Sequence, residues 1–478
     1  MIKTTDTVQI LRSTIGNPVS RKFLSSLGYC PDCGKNRIEI ALELYTGTRN
    51  DACVKCRVAE KTLSGILAAG GRAFGVSSKQ LRKKFSEPSW RKGLSNVLSG
   101  IAHFGVNRPF VPGAPFLVVW DITYGCNLNC KHCYANAGKV GKDELSTEEA
   151  KKVIDELDHA SVPIIAFSGG EPLVRDDILE LTRYAADKGI YIAMATNGTL
   201  ITKEKAKEMK EAGVKFIQIS LDSADAETHD SFRGIDGVFD KTIKGIKNAV
   251  DEGFFVNIAS TATSYNKDEI PDIIDLCEEL NVNWFMLYNF VPTGRGEFIS
   301  KNDLTPKERE EILKNLWEKL KNKESKVNVL STAPQFARVA LQSELSENKK
   351  IVPTHFYNSS LSGKLVNLAE FIGGCGCGRF YCAIRPNGNI EPCVFFPLKI
   401  GNIKDDNLQK LWRNNQTLKE LRDKDILKGK CGDCRYRYYC GGCRARAYSY
   451  TDDYLNPDPG CVRTKYELQN FGSVEAKK

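Results

Sequence analysis

Between residues 116 and 330 the chain alternates short apolar runs with amphipathic stretches, and this rhythm narrows the fold more than any other feature. Six runs read as strands: FLVVWDI (116–122), PIIAFS (163–168), YIAMAT (191–196), FIQISL (216–221), FFVNIAST (254–261) and WFMLYNF (284–290). The stretches between them, such as STEEAKKVIDELDHA and KEKAKEMKEAG, space apolar residues three and four apart, as a helix with one buried face requires. Ser146 precedes the first of these, with acids in the opening turn, which signals a helix start. Repeated strand–helix units give parallel strands joined by crossover helices. Six units predict an α/β fold, a partial (β/α)6 TIM-like barrel over 116–330, with its chemistry at the C-terminal ends of the strands.

The 17 cysteines are the second constraint. They fall in close groups, which suits metal ligation better than long-range disulfides. The N-terminus, MIKTTDTVQILRSTIG, lacks the apolar core of a signal peptide, and no run of 18 apolar residues occurs. A reducing cytoplasm and no membrane span are therefore expected. Hydrophobic residues at 41% and charged residues at 27% are those of a globular protein, and the net charge of +9 reads as the solubility of a Lys-rich surface.

Cys126, Cys130 and Cys133 follow the first strand directly, on the loop Thr123–Tyr134. Three thiolates on one tight loop can hold three corners of a [4Fe–4S] cube and leave one iron open to a small chelating ligand. The alternative is a structural zinc loop, but zinc prefers four closed ligands and only His132 lies near as a fourth. The second strand ends in Gly169-Gly170-Glu171-Pro172, the third in Thr196-Asn197-Gly198 and the fourth in Ser220-Leu221-Asp222. Glycines at a strand end let backbone approach a ligand, and a carboxylate can accept from an ammonium.

The cysteine loop resembles the signature of the radical S-adenosylmethionine superfamily, and Gly169–Glu171 one β-α unit later resembles that family's GGE motif. The resemblance implies an anaerobic enzyme in which Cys126, Cys130 and Cys133 ligate a cluster whose open iron binds S-adenosylmethionine. One electron, from a donor such as ferredoxin or flavodoxin, then gives methionine and a 5′-deoxyadenosyl radical. It further implies His132 near the adenine and Gly169, Gly170 and Glu171 at the methionyl amino group. Thr196 and Asn197 would face the cofactor, Ser220 and Asp222 would contact ribose and carboxylate, Arg233 would add a carboxylate contact, and Arg295 would lie on the adenine side.

Residues 365–478 hold nine more cysteines: Cys375, Cys377, Cys382, Cys393, Cys431, Cys434, Cys440, Cys443 and Cys461. Their spacing is similar to the SPASM domain, an auxiliary-cluster module. Gly388-x4-Cys393 fits it, and Cys440-x2-Cys443 is one residue shorter than the common form. The resemblance implies one auxiliary [4Fe–4S] cluster on Cys377, Cys382, Cys393 and Cys443 and another on Cys431, Cys434, Cys440 and Cys461. Cys375 is either spare or replaces Cys377. Cys277, in a helical DLCEEL stretch, reads as a buried structural thiol. Residues 331–364 read as a linker.

Residues 1–60 carry Cys30-x2-Cys33 and Cys53-x2-Cys56, with 19 residues between the pairs. This is the spacing of a small four-cysteine module holding zinc, or iron as in rubredoxin. Residues 61–115 read as a basic amphipathic helical linker. Within 72–108, eight Lys and Arg residues face only Glu87, and Leu94, Val97, Leu98 and Ile101 recur at helical spacing beside Trp90. Such a segment packs on the barrel or lies on an anionic membrane. Its sparse aromatics argue against nucleic acid. The expected activity is radical C–H chemistry on a large substrate, with C–C bond formation on membrane lipid chains at a peripheral site as one reading. A peptide-modifying maturase, a tetrapyrrole-modifying enzyme and a non-catalytic iron–sulfur electron carrier are the alternatives.

Overall fold

The computed structural model describes residues 6–74, 76–322, 324–347 and 369–464. Residues 348–368 of the expected linker and 465–478 of the C-terminal region lie outside the described residues. A two-stranded ribbon, β1 (Tyr29–Cys30) and β2 (Lys35–Asn36), carries the first cysteine pair. The main sheet contains β3 (Leu117–Asp121), β4 (Ile164–Ser168), β5 (Tyr191–Thr196), β6 (Val214–Ser220), β7 (Phe255–Ala262) and β8 (Trp284–Asn289). These are the six strands the sequence rhythm predicts, and they pair in parallel in chain order.

The sheet continues at both edges. Strand β9 (Asn328–Ser331) pairs parallel with β8, and helix Gln335–Glu347 follows it, so the start of the expected linker is ordered structure. On the other side β10 (Tyr381–Ile384) pairs parallel with β3, and β11 (Asn389–Glu391) and β12 (Gly401–Asn402) extend the sheet antiparallel. The cysteine-rich C-terminal region thus adds strands to the barrel sheet.

Local chemistry sets the helices. Helix Thr147–His159 starts at Ser146, whose hydroxyl accepts from Glu149 N while the Glu149 carboxylate accepts from Ser146 N at 2.9 Å. This capping box satisfies two backbone donors that the helix leaves open. Ala150, Val153, Ile154 and Leu157 form its buried stripe. They meet Trp120, Ile165, Phe167, Ile192 and Met194, all 0% exposed, on the outer face of the sheet. Alternate residues face the lumen, since successive side chains on a strand point to opposite sides. Val119, Ala166 and Ala193 lie side by side there, and Gln218 lies between Ala195 and Asn257. Phe216, Phe255 and Trp284 close the N-terminal mouth of the lumen, with ring centroids 5.0–6.2 Å apart.

The N-terminal helices share their own core of Leu24, Ile38, Leu42, Leu63, Phe85, Leu98, Ile101 and Phe110. The helix Val54–Phe74 runs through residue 60, so the four-cysteine module and the basic segment form one continuous unit. This unit docks on the closed end of the barrel: Lys92 is buried between Glu39 and Asp158, and Tyr29 packs on His159 at 4.8 Å. Arg91 is also buried, donating to the Phe85 and Ser86 carbonyls at 2.8 Å. The apolar face of helix Pro88–Phe104 is therefore spent on protein, with Leu98 and Ile101 about 5% exposed. A helical repeat reads the same whether its apolar side meets lipid or protein. Among the described residues no helix is long and apolar enough to cross a membrane.

Candidate active site

The loop after β3 is folded back on itself and stapled from two sides. Gly138 N donates to Tyr124 O and Cys126 N to Gly138 O, both at 2.8 Å. Arg295, on the segment after β8, donates from Nε to Cys130 O at 3.0 Å and reaches Ala137 O. Its own N–H meets Cys133 O at 2.9 Å. Arg295 thus shapes the main chain that presents the thiols. Leu128 N and Ala137 N point at the sulfurs of Cys126 and Cys133, each at 3.4 Å. Burial pushes the Cys126 thiol up to about 12, so a cation at the loop is what would hold it as thiolate.

The two glycines of Gly169-Gly170-Glu171 answer to the cysteine loop. Gly170 N donates to Thr123 O and Glu171 N to Gly125 O, both at 2.8 Å. A Cβ on Gly170 would lie 1.9 Å from Gly125 O, and Gly169 has φ +121°. The Glu171 carboxylate is fully buried and accepts from Thr196 Oγ1 and Asn197 N at 2.8 Å and from Leu173 N at 3.1 Å. Its side chain is thus held in place by three donors within the protein. Asn197 Nδ2 donates to Asn127 Oδ1 at 2.8 Å, tying the end of β5 to the cysteine loop.

On the opposite flank, Asp222 is 1% exposed, ion-paired with Arg233, and accepts from Thr261 N at 2.8 Å. Burial alone would raise its pKa, but Arg233 and the other donors hold it below the usual carboxylate range. Arg233 also places a guanidinium nitrogen 3.7 Å from Cys130 Sγ, so it faces a thiol and a buried acid. His132 stacks flat on Phe232, centroids 4.2 Å apart and 8° between planes, with Nε2 3.7 Å from Asp222. Burial, opposed by Asp222, lowers its pKa to about 4, so the ring is neutral at pH 7. Among the described residues its buried Nδ1 has no hydrogen-bond partner. Ser220 is half-buried at the end of β6.

Tyr134 follows the last loop cysteine and donates to Asp121 Oδ1 at 3.0 Å, beside Ser168 Oγ at 3.0 Å. Asp121 pairs with Arg385, which pairs in turn with Glu391 at 2.6 Å. This triad rivets the C-terminal region to the strand end that carries the cysteine loop. Across the lumen, Gln218 accepts from Tyr288 at 3.0 Å and from Asn257 at 3.1 Å.

The C-terminal thiols fall into two groups. The electrostatic neighbours of Cys377 and Cys443 are Cys375 and Cys393, and Tyr381 donates its hydroxyl to Cys393 Sγ at 2.9 Å. Cys382, which the sequence grouped here, pairs in register with Val118 and acts on Arg422 instead. The strand alternation explains this: Tyr381 points toward Cys393, so its neighbour Cys382 points away. Cys375 stands among these neighbours. The second group keeps Cys431, Cys434, Cys440 and Cys461 together. Both groups lie among buried cations. Among the described residues no carboxylate pairs with Arg379 or Lys424, each at most 2% exposed, and they donate to main-chain carbonyls. Unpaired buried cations beside clustered thiols fit an anionic metal centre.

Residues 120–277 match the family described as "Radical SAM superfamily" and residues 375–435 the SPASM family, "Iron-sulfur cluster-binding domain". An AdoMet-dependent heme synthase from Methanosarcina barkeri is 40% identical over 352 residues, 73% of this chain and 97% of that protein. The chain belongs to the radical SAM superfamily. A second AdoMet-dependent heme synthase, from Nitratidesulfovibrio vulgaris, is 36% identical over 74% of this chain and 94% of its own length. The structure of Streptococcus suis SuiB bound to S-adenosylmethionine has a TM-score of 0.63 at 17% identity, over 90% of this chain and 96% of that one, and shares the fold.

As a radical SAM enzyme with a SPASM domain, the chain uses S-adenosylmethionine and iron–sulfur clusters. The N-terminal cysteines form a different kind of site. The sulfurs of Cys30, Cys33, Cys53 and Cys56 all lie within 4.8 Å of one another, with Cys30 and Cys53 3.7 Å apart. A tetrahedral ion with metal–sulfur bonds of about 2.3 Å needs sulfur–sulfur edges of about 3.8 Å, so one ion fits between them. The sequence reading missed the staples of the loop, namely Asn127, Tyr134 and Arg385. Arg385 lies 264 residues from its partner Asp121, beyond any local pattern.

Proposed function

We propose that this chain modifies the periphery of an iron tetrapyrrole by hydrogen-atom abstraction. The supporting observation is that heme synthases align over nearly their whole length at up to 40% identity. The lumen suits a flat substrate: Ala166, Ala193 and Ala195 leave one wall low, and Tyr134, Tyr288 and Phe395 supply aromatic faces. The lipid reading has lost its support, because the apolar face it relied on is buried.

Cys126, Cys130 and Cys133 would hold the cluster that supplies the electron for splitting S-adenosylmethionine. His132, neutral and with an unpartnered Nδ1, sits at the adenine side of that loop. Ser220 and the Asp222–Arg233 pair flank it, and main-chain carbonyls at Gly169 and Gly170 would accept from the methionyl amino group. Arg295 and Glu171 act as positioning residues, through the loop backbone and the end of β5. Auxiliary clusters would use Cys375, Cys377, Cys393 and Cys443, and Cys431, Cys434, Cys440 and Cys461. Zinc is assigned to the N-terminal site, which lies at the closed end of the barrel, away from the chemistry. A low-potential cytoplasmic donor of the ferredoxin or flavodoxin class would supply electrons.

The test is anaerobic turnover of reconstituted protein with dithionite, S-adenosylmethionine and iron coproporphyrin or another carboxylated iron tetrapyrrole. The expected result is faster release of 5′-deoxyadenosine and a mass change in the macrocycle, both lost in Cys126→Ala. If no iron tetrapyrrole accelerates release or changes mass, the substrate assignment is wrong. A peptide that does so instead would move the chain to the maturases.

A further inference from the structure

We infer that the ring pair Tyr134–Phe395 is the electron path between the radical-site loop and the nearer auxiliary cysteine group. The inference rests on the reading that both groups hold iron–sulfur clusters. Tyr134 follows Cys133 directly in the chain. Its ring meets Phe395 edge-on, with centroids 5.0 Å apart and 69° between planes. Phe395 lies two residues after Cys393, and its N–H donates to Cys393 Sγ at 3.4 Å. One covalent link, one ring contact and one hydrogen bond therefore join sulfurs that belong to two different domains.

Electron tunnelling decays steeply across empty or solvent-filled gaps and less steeply through bonded and packed π groups. The geometry of the ring pair is fixed at each end. The Tyr134 hydroxyl is held by Asp121 and Ser168, both at 3.0 Å, and Asp121 is held by Arg385. At the other end Tyr381 hydrogen-bonds Cys393 Sγ at 2.9 Å. Phe395 also lies 6.2 Å from Tyr288, whose hydroxyl meets Gln218 on the lumen side of the sheet, so the path runs along the wall of the lumen. An electron that a substrate radical gives to the auxiliary site can return to the radical site by this route. In that step the auxiliary cluster is oxidised by one electron and the radical-site cluster is reduced by one, with no bond or proton moved. The radical site is thereby reset without a fresh electron from the donor protein.

The test needs no substrate. Reconstituted full-length protein is reduced with dithionite, desalted anaerobically to remove the excess, and mixed with S-adenosylmethionine. Each cleavage consumes one electron at the radical site, and with no substrate present the 5′-deoxyadenosyl radical takes its hydrogen atom from a C–H bond of buffer or protein. Intact protein is expected to release up to about three 5′-deoxyadenosine per chain, one for each reduced cluster, while the electron paramagnetic resonance signals of the auxiliary clusters fade. Phe395→Leu should stop at about one per chain with its auxiliary signals retained. Tyr134→Leu removes the other ring and should likewise stop at about one per chain with its auxiliary signals retained, while Phe395→Leu leaves the hydroxyl network untouched. The inference is overturned if Phe395→Leu or Tyr134→Leu drains its auxiliary signals as intact protein does, or if intact protein itself stops at about one. Iron analysis beforehand reads the premise: no iron at either cysteine group overturns the cofactor reading and this inference with it.

Discussion

Two histidines near the cysteine loop carry no charge at neutral pH. Burial lowers the pKa of both His132 and His229 to about 4, from an ordinary value of 6.5. The unfolded chain therefore binds more protons between pH 6.5 and 4. The stability they contribute is complete above about pH 6.5 and is lost as pH falls toward 4, on the order of 3 kcal/mol per ring. Urea midpoints should drop between pH 7.5 and pH 5, and His229→Phe should show a smaller drop. Gly170 sets a second residue-scale expectation. A methyl group there meets Gly125 O at 1.9 Å, so Gly170→Ala must push the second strand's turn off the cysteine loop. About 1–3 kcal/mol of stability should go, as for other overpacked sites. Iron analysis should show the loss of about four irons per chain, those of the radical-site cluster. The sequence marked Gly170 for ligand approach. Its stronger reason, a backbone-to-backbone contact between two loops, needs the third dimension. Glu171 is similar: its acid was legible, but two of its three internal donors, Thr196 and Asn197, are brought near only by the sheet.

Local elements were the most legible part of the chain. The strands β3 to β8 and the cap at Ser146 follow from period and turn chemistry, which act within a few residues. The basic helix Pro88–Phe104 shows where that reasoning ends. Its periodicity was plain, but its partner was not, because a period carries no information about what covers the apolar side. Lys92 shows what does cover it: the ammonium is 3% exposed, between Glu39 of the N-terminal unit and Asp158 of the barrel. Removing the cation in Lys92→Met leaves the buried Glu39 carboxylate without its cation and facing a half-buried Asp158. Breaking a buried pair in this way costs about 3–5 kcal/mol. The expected result is a lower melting temperature with early proteolysis in the N-terminal unit. For the same reason intact protein should stay in the supernatant when spun with anionic vesicles. Co-sedimentation would return the helix to the membrane.

At the scale of the molecule, the barrel and the cysteine-rich C-terminal region are one sheet. Spacing alone gave them as separate domains, since β10 is four residues long and its partner β3 lies more than 250 residues earlier. Such a pairing leaves no trace in local composition. Its consequence is that the radical site depends on the SPASM region for its shape. Strand β10 covers the edge of β3, and Arg385 neutralises Asp121 where the cysteine loop begins. A chain ending near residue 347 would expose β3 as an open, apolar edge, the kind of surface that pairs with other chains. It would also leave Asp121 buried without its cation. The truncated protein is therefore expected to aggregate and not to take up iron at Cys126, Cys130 and Cys133, although all three remain. Full-length Arg385→Gln separates the two causes, because it keeps the strand and removes only the charge. It should stay monomeric in size-exclusion chromatography yet lose about 3–5 kcal/mol in chemical denaturation, as a broken buried ion pair does. A truncated barrel that stayed monomeric and bound its iron would mean that the shared sheet is a convenience of packing and that each region folds by itself.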